Sequence, residues 1–524
     1  MMSKINLLDC TLRDGGYINN WDFGKDVISR IVNQVLIAGV EVMELGYLST
    51  VNSGNADSAR YNSLKDVRRA FSNIKMENQD YAVMVNYGEY PAELLPVAEQ
   101  DDPIIRLAFH RKNLKEAFEY IKVLDSKGYR YYIQPMGVLN YSDKEFIELI
   151  SMANATNTEA FYVVDSFGVL ELKDFRRLIF LVDNNLRDGI LLGYHAHNNL
   201  QQAYSNAKYM IEQGLTHSMI IDASVFGMGR GAGNLNIELF AKHLNRSYGK
   251  CYNIEPFLEV FDECLKPIFA RQFWGYSLPF YLSSIHNCHP NYALFFTEKN
   301  TLTIKSIHEL LSRISEEDKI GFSKEKAAKY YNSYMDNYID DKEDIKTLHE
   351  DIGTRPILIL APGKSISSQK DLLLSFIDKN KPVVIGVNRS SDSYHYNYLF
   401  VTNEKRLVDK PQNVDKFIKT SNLHKILADT IQVNYASYLA ENPVVCDNPT
   451  LMLLNLLVSM GIHEVFIAGF DGFSTNQEDN YFQQGLSMGS SIESKVEKNK
   501  LVSEAVQVLK KKIAIRFLTD SIYE

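Results

Sequence analysis

Apolar and polar residues alternate along the first half of the chain in two rhythms. Short, almost wholly apolar runs lie at Ile5 to Asp9, Val40 to Leu45, Tyr81 to Val85, Ile104 to Phe109, Tyr131 to Pro135, Phe161 to Val164, Ile190 to Tyr194 and Met219 to Ile221. Their length and turn-like borders predict buried strands. Between them the apolar positions recur at helical spacing, as in Val27-Ile28 with Ile31-Val32-Val35-Leu36, or Leu114-Ala117-Phe118-Ile121-Leu124. Eight strand and helix alternations inside about 250 residues are the count and size of a TIM (β/α)8 barrel, expected over residues 1–250.

Residues 251–350 read as a helical extension and linker, because the charges from Ser315 to Asp351, including Asp340-Asp341-Lys342-Glu343-Asp344, suit solvated helix. Strand-like runs return over 351–524. Ile357 opens a strand that enters the turn Ala361-Pro362-Gly363-Lys364-Ser365, and further runs lie at Val383 to Val387, Tyr398 to Thr402, Ile431 to Val433 and Val465 to Ala468. Helical segments such as Thr450 to Met460 separate them, which predicts an open, mostly parallel α/β sheet of Rossmann-like type. The turn at Ala361 to Ser365 superficially resembles a P-loop, but Leu358 stands where the first glycine must be, which argues against ATP hydrolysis by that motif. A turn at a helix N-terminus still suits an anion.

Composition narrows the class. A chain of 524 residues with 45% hydrophobic content buries more than one core. A net charge of −9 without a long basic block offers nothing to nucleic acid. Cys10, Cys251, Cys264, Cys288 and Cys446 are odd in number and form no Cys-x-x-Cys pair, as expected in a reducing compartment. The first residues turn polar too soon for a signal peptide, and no run reaches the ~18 apolar residues of a membrane helix. A cytoplasmic homo-oligomer without membrane contact is expected.

Polar residues gather where the predicted strands end, the face on which barrel enzymes carry their sites. Arg13 and Asp14 follow the first strand, Asp165 and Ser166 the sixth, and His195 and His197 the seventh. Residues two apart on a strand point the same way, so both imidazoles face one centre. With a carboxylate from the segment Asp9 to Gly16 they suit one divalent cation, manganese or magnesium being favoured by carboxylate and water ligation. An isolated His-x-His is commonly structural; its conjunction with Arg13-Asp14-Gly15 behind the first strand makes metal binding the preferred reading. The loop Gly227-x-Gly229-x-Gly231-x-Gly233 lacks the dinucleotide spacing and reads as a substrate-side loop. Glu44, Asp165 and Asp222 either orient metal ligands or cap strand ends.

These motifs, with Glu44-Leu45-Gly46-Tyr47, Asp165-Ser166-Phe167-Gly168, Gly193 to Leu200 and Gly227 to Asn234, resemble the metal-dependent lyase and aldolase superfamily of TIM barrels, which includes isopropylmalate and homocitrate synthases and HMG-CoA lyase. Within it the chain looks most like the 4-hydroxy-2-oxovalerate aldolase branch, over roughly residues 4–310. The resemblance implies that Asp14, His195 and His197 bind the metal, with Asn234 a further ligand, and that Arg13 lies beside the oxygen of a bound 2-oxo acid. Ser166 would donate to the substrate carboxylate, and Gly231 and Gly233 would border the substrate. The stretch Trp274 to Ser284 is similar to the post-barrel helix that lends a tyrosine to these sites, a part for Tyr276 or Tyr281. His286 and His289 follow, a His-x-x-His pair of the kind more often found as helix surface or packing.

One position departs from the family. Members of this branch carry a histidine base where this chain has Tyr17, and a tyrosine with a pKa near ~10 is a poor base at neutral pH. The C-terminal domain faintly resembles bacterial sialyltransferase-like domains that bind a nucleotide sugar, with Ser365, Asn388 and Asp471 as its candidate ligand site; a docking or dimerisation role is the alternative. The expected activity is therefore a divalent-metal-dependent carbon–carbon lyase or aldolase, or the reverse condensation, on pyruvate or another 2-oxo acid and an aldehyde. Fusion to an activated-sugar domain would make that aldehyde a sugar and the product an acid sugar for a surface polysaccharide. The alternatives are a Claisen-type acyltransferase of the isopropylmalate synthase kind and glycosyl transfer by the C-terminal domain.

Overall fold

The computed structural model describes residues 4–50, 57–71, 79–299, 302–404, 411–423, 430–442, 444–474, 480–482 and 492–524. Two compact units divide the chain, Met1–Asn291 and Tyr292–Glu524. No helix among the described residues is long and apolar enough to cross a membrane.

In the first unit every run expected to be a strand is one: β1 (Ile5–Asp9), β2 (Val42–Leu48), then a two-residue β3 (Arg60–Tyr61), β4 (Asp80–Asn86), β5 (Ile104–His110), β6 (Tyr131–Met136), β7 (Ala160–Asp165), β8 (Leu191–Ala196) and β9 (Met219–Ala223). All pairings are parallel, and β1 pairs with both β9 and β2, which closes an eight-stranded barrel with β3 as an addition on β2. Parallel strands in this arrangement are covered on both faces, which explains their nearly continuous apolar runs.

Alternation along the strands sorts side chains into two cores. Ile105, Leu107, Phe161, Val163, Leu192 and Tyr194 pack in the large core that includes the surrounding helices. Leu8, Val42, Ala82, Ile104, Tyr132, Ala160, Tyr162 and Ile220 form a separate cluster inside the barrel. The next inward positions are two residues further along each strand. There the apolar filling gives way to Glu44, Arg106, Gln134, Asp222 and His195, all buried. Apolar residues thus plug one end of the barrel, and the polar layer lies towards the ends where the strands finish.

The second unit is built on β10 (Ile357–Leu360), β11 (Val383–Val387), β12 (Tyr396–Val401), β13 (Val414–Thr420), β14 (Thr430–Val433), β15 (Glu464–Ala468) and β16 (Ala514–Phe517). The order β14-β13-β12-β11-β10-β15-β16 is parallel throughout, as a Rossmann-like sheet requires. The strand order reverses between β10 and β15, the topological switch point. The helix Pro449–Ser459 is apolar on all sides and buried accordingly. Two strands had no expectation behind them: β13 is interrupted by Asp415 and Lys416, and β16 has only four residues at the sheet edge.

Gly193 pairs with Tyr162 across β7 and β8, and a Cβ there would lie 2.4 Å from the Tyr162 ring. Arg106 stacks on that ring, with its guanidinium carbon 4.8 Å from the centroid, so the ring has little room to retreat. Gly193→Ala should cost about 1–3 kcal/mol by overpacking, seen as a lower unfolding midpoint in calorimetry. Gly321→Ala, whose Cβ would meet nothing within 4 Å, is the control expected to stay near the wild-type value.

Candidate metal centre

The turn after β1 carries the first ligand. Asp9 accepts from the Thr11 N–H (3.1 Å) and hydroxyl (2.7 Å), the Asp14 N–H donates to the Cys10 carbonyl at 2.9 Å, and the Trp21 indole N–H donates to the Arg13 carbonyl at 2.7 Å. This folded turn aims Asp14 inward. β8 runs on past Tyr194 and delivers His195 inside the barrel, with His197 just beyond its end. Ligand atoms of Asp14, His195 and His197 lie within 4.8 Å of one another, and all three residues are buried.

Asn234 arrives from the loop after β9. Its amide donates to Asp14 Oδ2 at 2.8 Å and to the Met228 carbonyl at 3.1 Å, and an antiparallel bridge joins it to His197. A Cβ on Gly229 would stand 2.4 Å from the Asn234 amide and 2.7 Å from Asp14 Oδ2, so the loop reaches this depth because that position has no side chain.

Beneath the ligands lies a chain of buried charges. Arg13 pairs through Nη1 with Asp14 (2.6 Å) and through Nε with Glu44 (2.7 Å). Glu44 also meets Arg106 Nη1 at 2.7 Å; Arg106 in turn pairs with Asp222, whose carboxylate faces His195 Nδ1 at 3.0 Å. With its amide turned, Gln134 accepts from Arg106 at 2.9 and 3.2 Å. A carboxylate on Nδ1 leaves Nε2 of His195 as the ligating nitrogen. Glu44 and Asp222 therefore orient the groups around the centre. Asp165 is a strand-end anchor instead: it accepts from the N–H groups of Val169 (2.9 Å) and Leu170 (3.0 Å), and burial pushes its carboxyl up to about 6.

The protonation states suit a cation. Burial would push the Asp14 carboxyl up, but His197, Arg13, His195 and Arg230 together hold it well below the ordinary range. Burial drives His197 down to about 3, against the pull of Asp14, so its imidazole is neutral at physiological pH. His197 Nδ1, Asn234 Oδ1 and Arg13 Nη2 are buried with no hydrogen-bond partner among the described residues. Two of those three atoms are electron-pair donors and the third a cationic donor, the remainder expected where a cation and an oxyanion would complete the set. Asp14, His195 and His197 fit a divalent ion, and Asn234 Oδ1 would reach it if the amide turned.

The other sequence candidates divide. Ser166 lies at the mouth, its Oγ accepting from the Gly137 N–H at 3.1 Å and its carbonyl from Arg230 at 3.0 Å. Tyr17 Oη lies 3.0 Å from Tyr47 Oη, with its ring edge-on to Trp21. Gly231 faces Asn199 and Phe280 at 3.6 Å or more, whereas Gly233 closes the loop against the Gly227 carbonyl. Trp274 docks on this loop through its indole N–H, which donates to the Phe226 carbonyl at 3.1 Å, and Gly275 through its N–H, which donates to the Gly231 carbonyl at 3.3 Å. Tyr276 and Tyr281 are 50% and 36% exposed, and neither has a described hydrogen bond to the ligand group. In the second unit Ser365 donates from N–H (2.8 Å) and Oγ to Asp471, and meets Thr519 at 2.8 Å, so these candidates satisfy each other across the switch point. Asn388 closes β11 on β12 through Phe400 and Thr402 and is not part of that group. Sequence reasoning passed over Arg106, Arg230 and Tyr47; an arginine inside the apolar run Ile104 to Phe109, and another inside a glycine loop, were the available signals.

Residues 104–256 match the HMGL-like family. The chain is 26% identical over 282 residues to a 4-hydroxy-2-oxovalerate aldolase of Carboxydothermus hydrogenoformans, covering 52% of this chain and 80% of that protein. It is 26% identical over 244 residues to an oxaloacetate decarboxylase of Mycobacterium tuberculosis, covering 46% and 70%. The solved HMG-CoA lyase of Brucella melitensis aligns at 16% identity with a TM-score of 0.41, over 51% of this chain and 99% of its own.

Two substitutions separate ligands from their supports. His197→Ala should abolish stoichiometric manganese binding in titration of the purified chain. Asp222→Asn keeps the ligands but loses the carboxylate on His195, and should weaken binding by about 10–100-fold without abolishing it. His195, His197 and the glycine loop that brings Asn234 to Asp14 fall within residues 104–256, the stretch that is similar to the HMGL-like family.

Proposed function

We propose that the barrel catalyses cleavage of the bond between C3 and C4 of a 4-hydroxy-2-oxo acid, which releases a 2-oxo acid and an aldehyde, or the reverse condensation, as a divalent-metal-dependent aldolase. The observation that carries this reading is the Asp14–His195–His197 cluster beside Arg13, whose Nη2 is buried without a partner among the described residues. Two relatives are named for reactions of this kind, an aldolase and a decarboxylase of oxo acids.

When bound, the cation, manganese or magnesium by its ligand chemistry, supplies a Lewis acid for the oxo oxygen. Arg13 is held by Asp14 and Glu44 and directs its remaining N–H groups at the oxygen on which negative charge develops. Ser166 Oγ already accepts from Gly137, so its own proton is left to donate to the substrate carboxylate. Tyr17 handles the proton of the substrate hydroxyl. Burial pushes the Tyr47 phenol well up, so Tyr47 keeps its proton beside Tyr17, with the two Oη atoms 3.0 Å apart. Gly231 leaves backbone rather than side chain on the substrate side, and Gly233 lets the loop close against the Gly227 carbonyl.

The reading is tested by exchange of pyruvate methyl protons with deuterated water, followed by NMR. Exchange that stops on chelation and returns with manganese is expected. Metal-independent exchange, or none, overturns it, and coenzyme A consumption with acetyl-CoA and a 2-oxo acid would indicate acyl transfer instead. Tyr17→Phe should lower kcat for aldol cleavage by about 100-fold or more, as loss of a general acid–base does, while KM for the oxo acid changes little.

A further inference from the structure

Aldol condensation moves two protons. Tyr17 serves one of them, on the hydroxyl oxygen; the other sits on C3 of the oxo acid and must be taken by a base. A 2-oxo acid whose carboxylate meets Ser166 behind β7 and whose oxo oxygen meets Arg13 behind β1 leaves C3 to the wall formed by the ends of β4, β5 and β6. Alternation along these strands sets the inward residues of that wall. On β4 the series starts at Ala82 in the apolar cluster inside the barrel and ends at Asn86 on the rim. On β6 it runs from Tyr132 through Gln134 to the thioether of Met136. On β5 it runs Ile104, Arg106, Ala108 and His110, which puts an imidazole at the rim above the ionic layer.

Of the groups on this wall, the imidazole is the one that takes up and gives back a proton near neutral pH. An amide and a thioether do not, and Glu89, the carboxylate behind Asn86, is engaged by the Asn86 amide at 2.9 Å and by Arg60 at 3.3 Å. His110 is half-buried, caps nothing at the head of the turn Arg111–Asn113, and its ring makes no hydrogen bond or ion pair among the described residues. The titratable and charged groups acting on it are Lys112 from its own turn, Arg230 from the loop after β9 and His289 from the segment after the barrel, none of them a carboxylate. Burial, with Lys112 and Arg230 adding to it, pushes the imidazole below its ordinary range, so the ring is neutral at physiological pH. Whichever nitrogen carries the proton, the other presents a lone pair. Arg230 is fixed at the same mouth: its Nη2 donates to the Ser166 carbonyl at 3.0 Å, and its guanidinium carbon lies 5.3 Å from the Tyr17 ring centroid. Tyr17 and His110 thus share Arg230 as a neighbour.

We propose that His110 is the base that takes the C3 proton of the oxo acid in condensation and, as imidazolium, the acid that returns one to C3 in cleavage. In condensation the C–H electron pair passes into the enolate and the proton goes to the His110 lone pair. Tyr17 gives its phenol proton to the aldehyde oxygen as the C3–C4 bond forms. The imidazolium then loses its proton to solvent at the rim and Tyr17 regains one from solvent, which balances the protons. This rests on the aldolase reading and assigns the second of its two proton transfers.

Exchange of pyruvate methyl protons with deuterated water, measured on the full chain at saturating manganese, isolates this transfer because no aldehyde takes part. His110→Gln should lower the exchange rate by at least ~100-fold, as loss of a general base does, and by at least ~10-fold more than Tyr17→Phe does. Its manganese stoichiometry should equal that of the wild type. The wild-type rate should fall as pH drops through a pKa below about 6.5, the ordinary imidazole value, because protonation removes the lone pair; that acid limb should be missing from His110→Gln. Exchange at the wild-type rate in His110→Gln overturns the inference. Lost exchange with the acid limb intact, or accompanied by lost manganese, marks a structural role for His110 and overturns it equally. A wild type that binds manganese but exchanges no protons overturns the aldolase reading itself.

Discussion

A guanidinium buried at the centre of the barrel must be neutralised, and the arrangement of the centre follows from how that is done. Arg106 projects from β5 into a space whose lower layer is apolar, where an isolated charge costs several kcal/mol. Glu44 on β2 and Asp222 on β9 compensate it from two sides, with Gln134 on β6 and the Tyr162 face completing its surroundings. Each carboxylate then has capacity left over, which Glu44 gives to Arg13 and Asp222 to His195. The groups meant for substrate and cation are thereby held by strands rather than by loops. The desolvation cost of Arg106 also sets the orientation of the site.

The remaining ligands depend on close approach of backbone. Asp14 and Asn234 are 220 positions apart, yet their side chains are hydrogen-bonded, because the loop after β9 passes through a space that a Cβ on Gly229 would fill. Arg230 is the one long side chain between Gly229 and Gly233, and it leaves the loop towards Ser166 and His289. The same loop therefore serves the cation with its asparagine and the mouth with its arginine. Trp274 and Gly275 brace it from the segment after the barrel, so that segment supports the site through its indole and backbone while Tyr276 and Tyr281 are partly exposed.

The barrel was legible because its strands are covered on both faces and so read as uninterrupted apolar runs; His195 and His197 were legible because two residues on a strand share a face. The second sheet was read less fully. β13 places Asp415 and Lys416 in its middle and β16 is a short edge strand, so neither shows the apolar run that marks an inner strand. The ionic layer escaped because a single arginine within Ile104 to Phe109 has no partner nearby in sequence: Glu44 and Asp222 come from strands that only closure of the barrel brings together. The His-x-x-His spacing left His289 open between helix surface and packing because it says nothing about burial; its surroundings, Arg230 and Phe167, belong to loops far away along the chain.

The central claim is that a cation is held by two imidazoles and a carboxylate at the strand ends. X-ray absorption spectroscopy of the manganese-loaded protein addresses it directly. Outer-shell scattering from two imidazole rings on an otherwise oxygen-ligated ion is the predicted spectrum, falling to one ring in His195→Gln at whatever occupancy remains. A shell made of oxygen alone, unchanged by that substitution, would place the metal elsewhere and contradict the account.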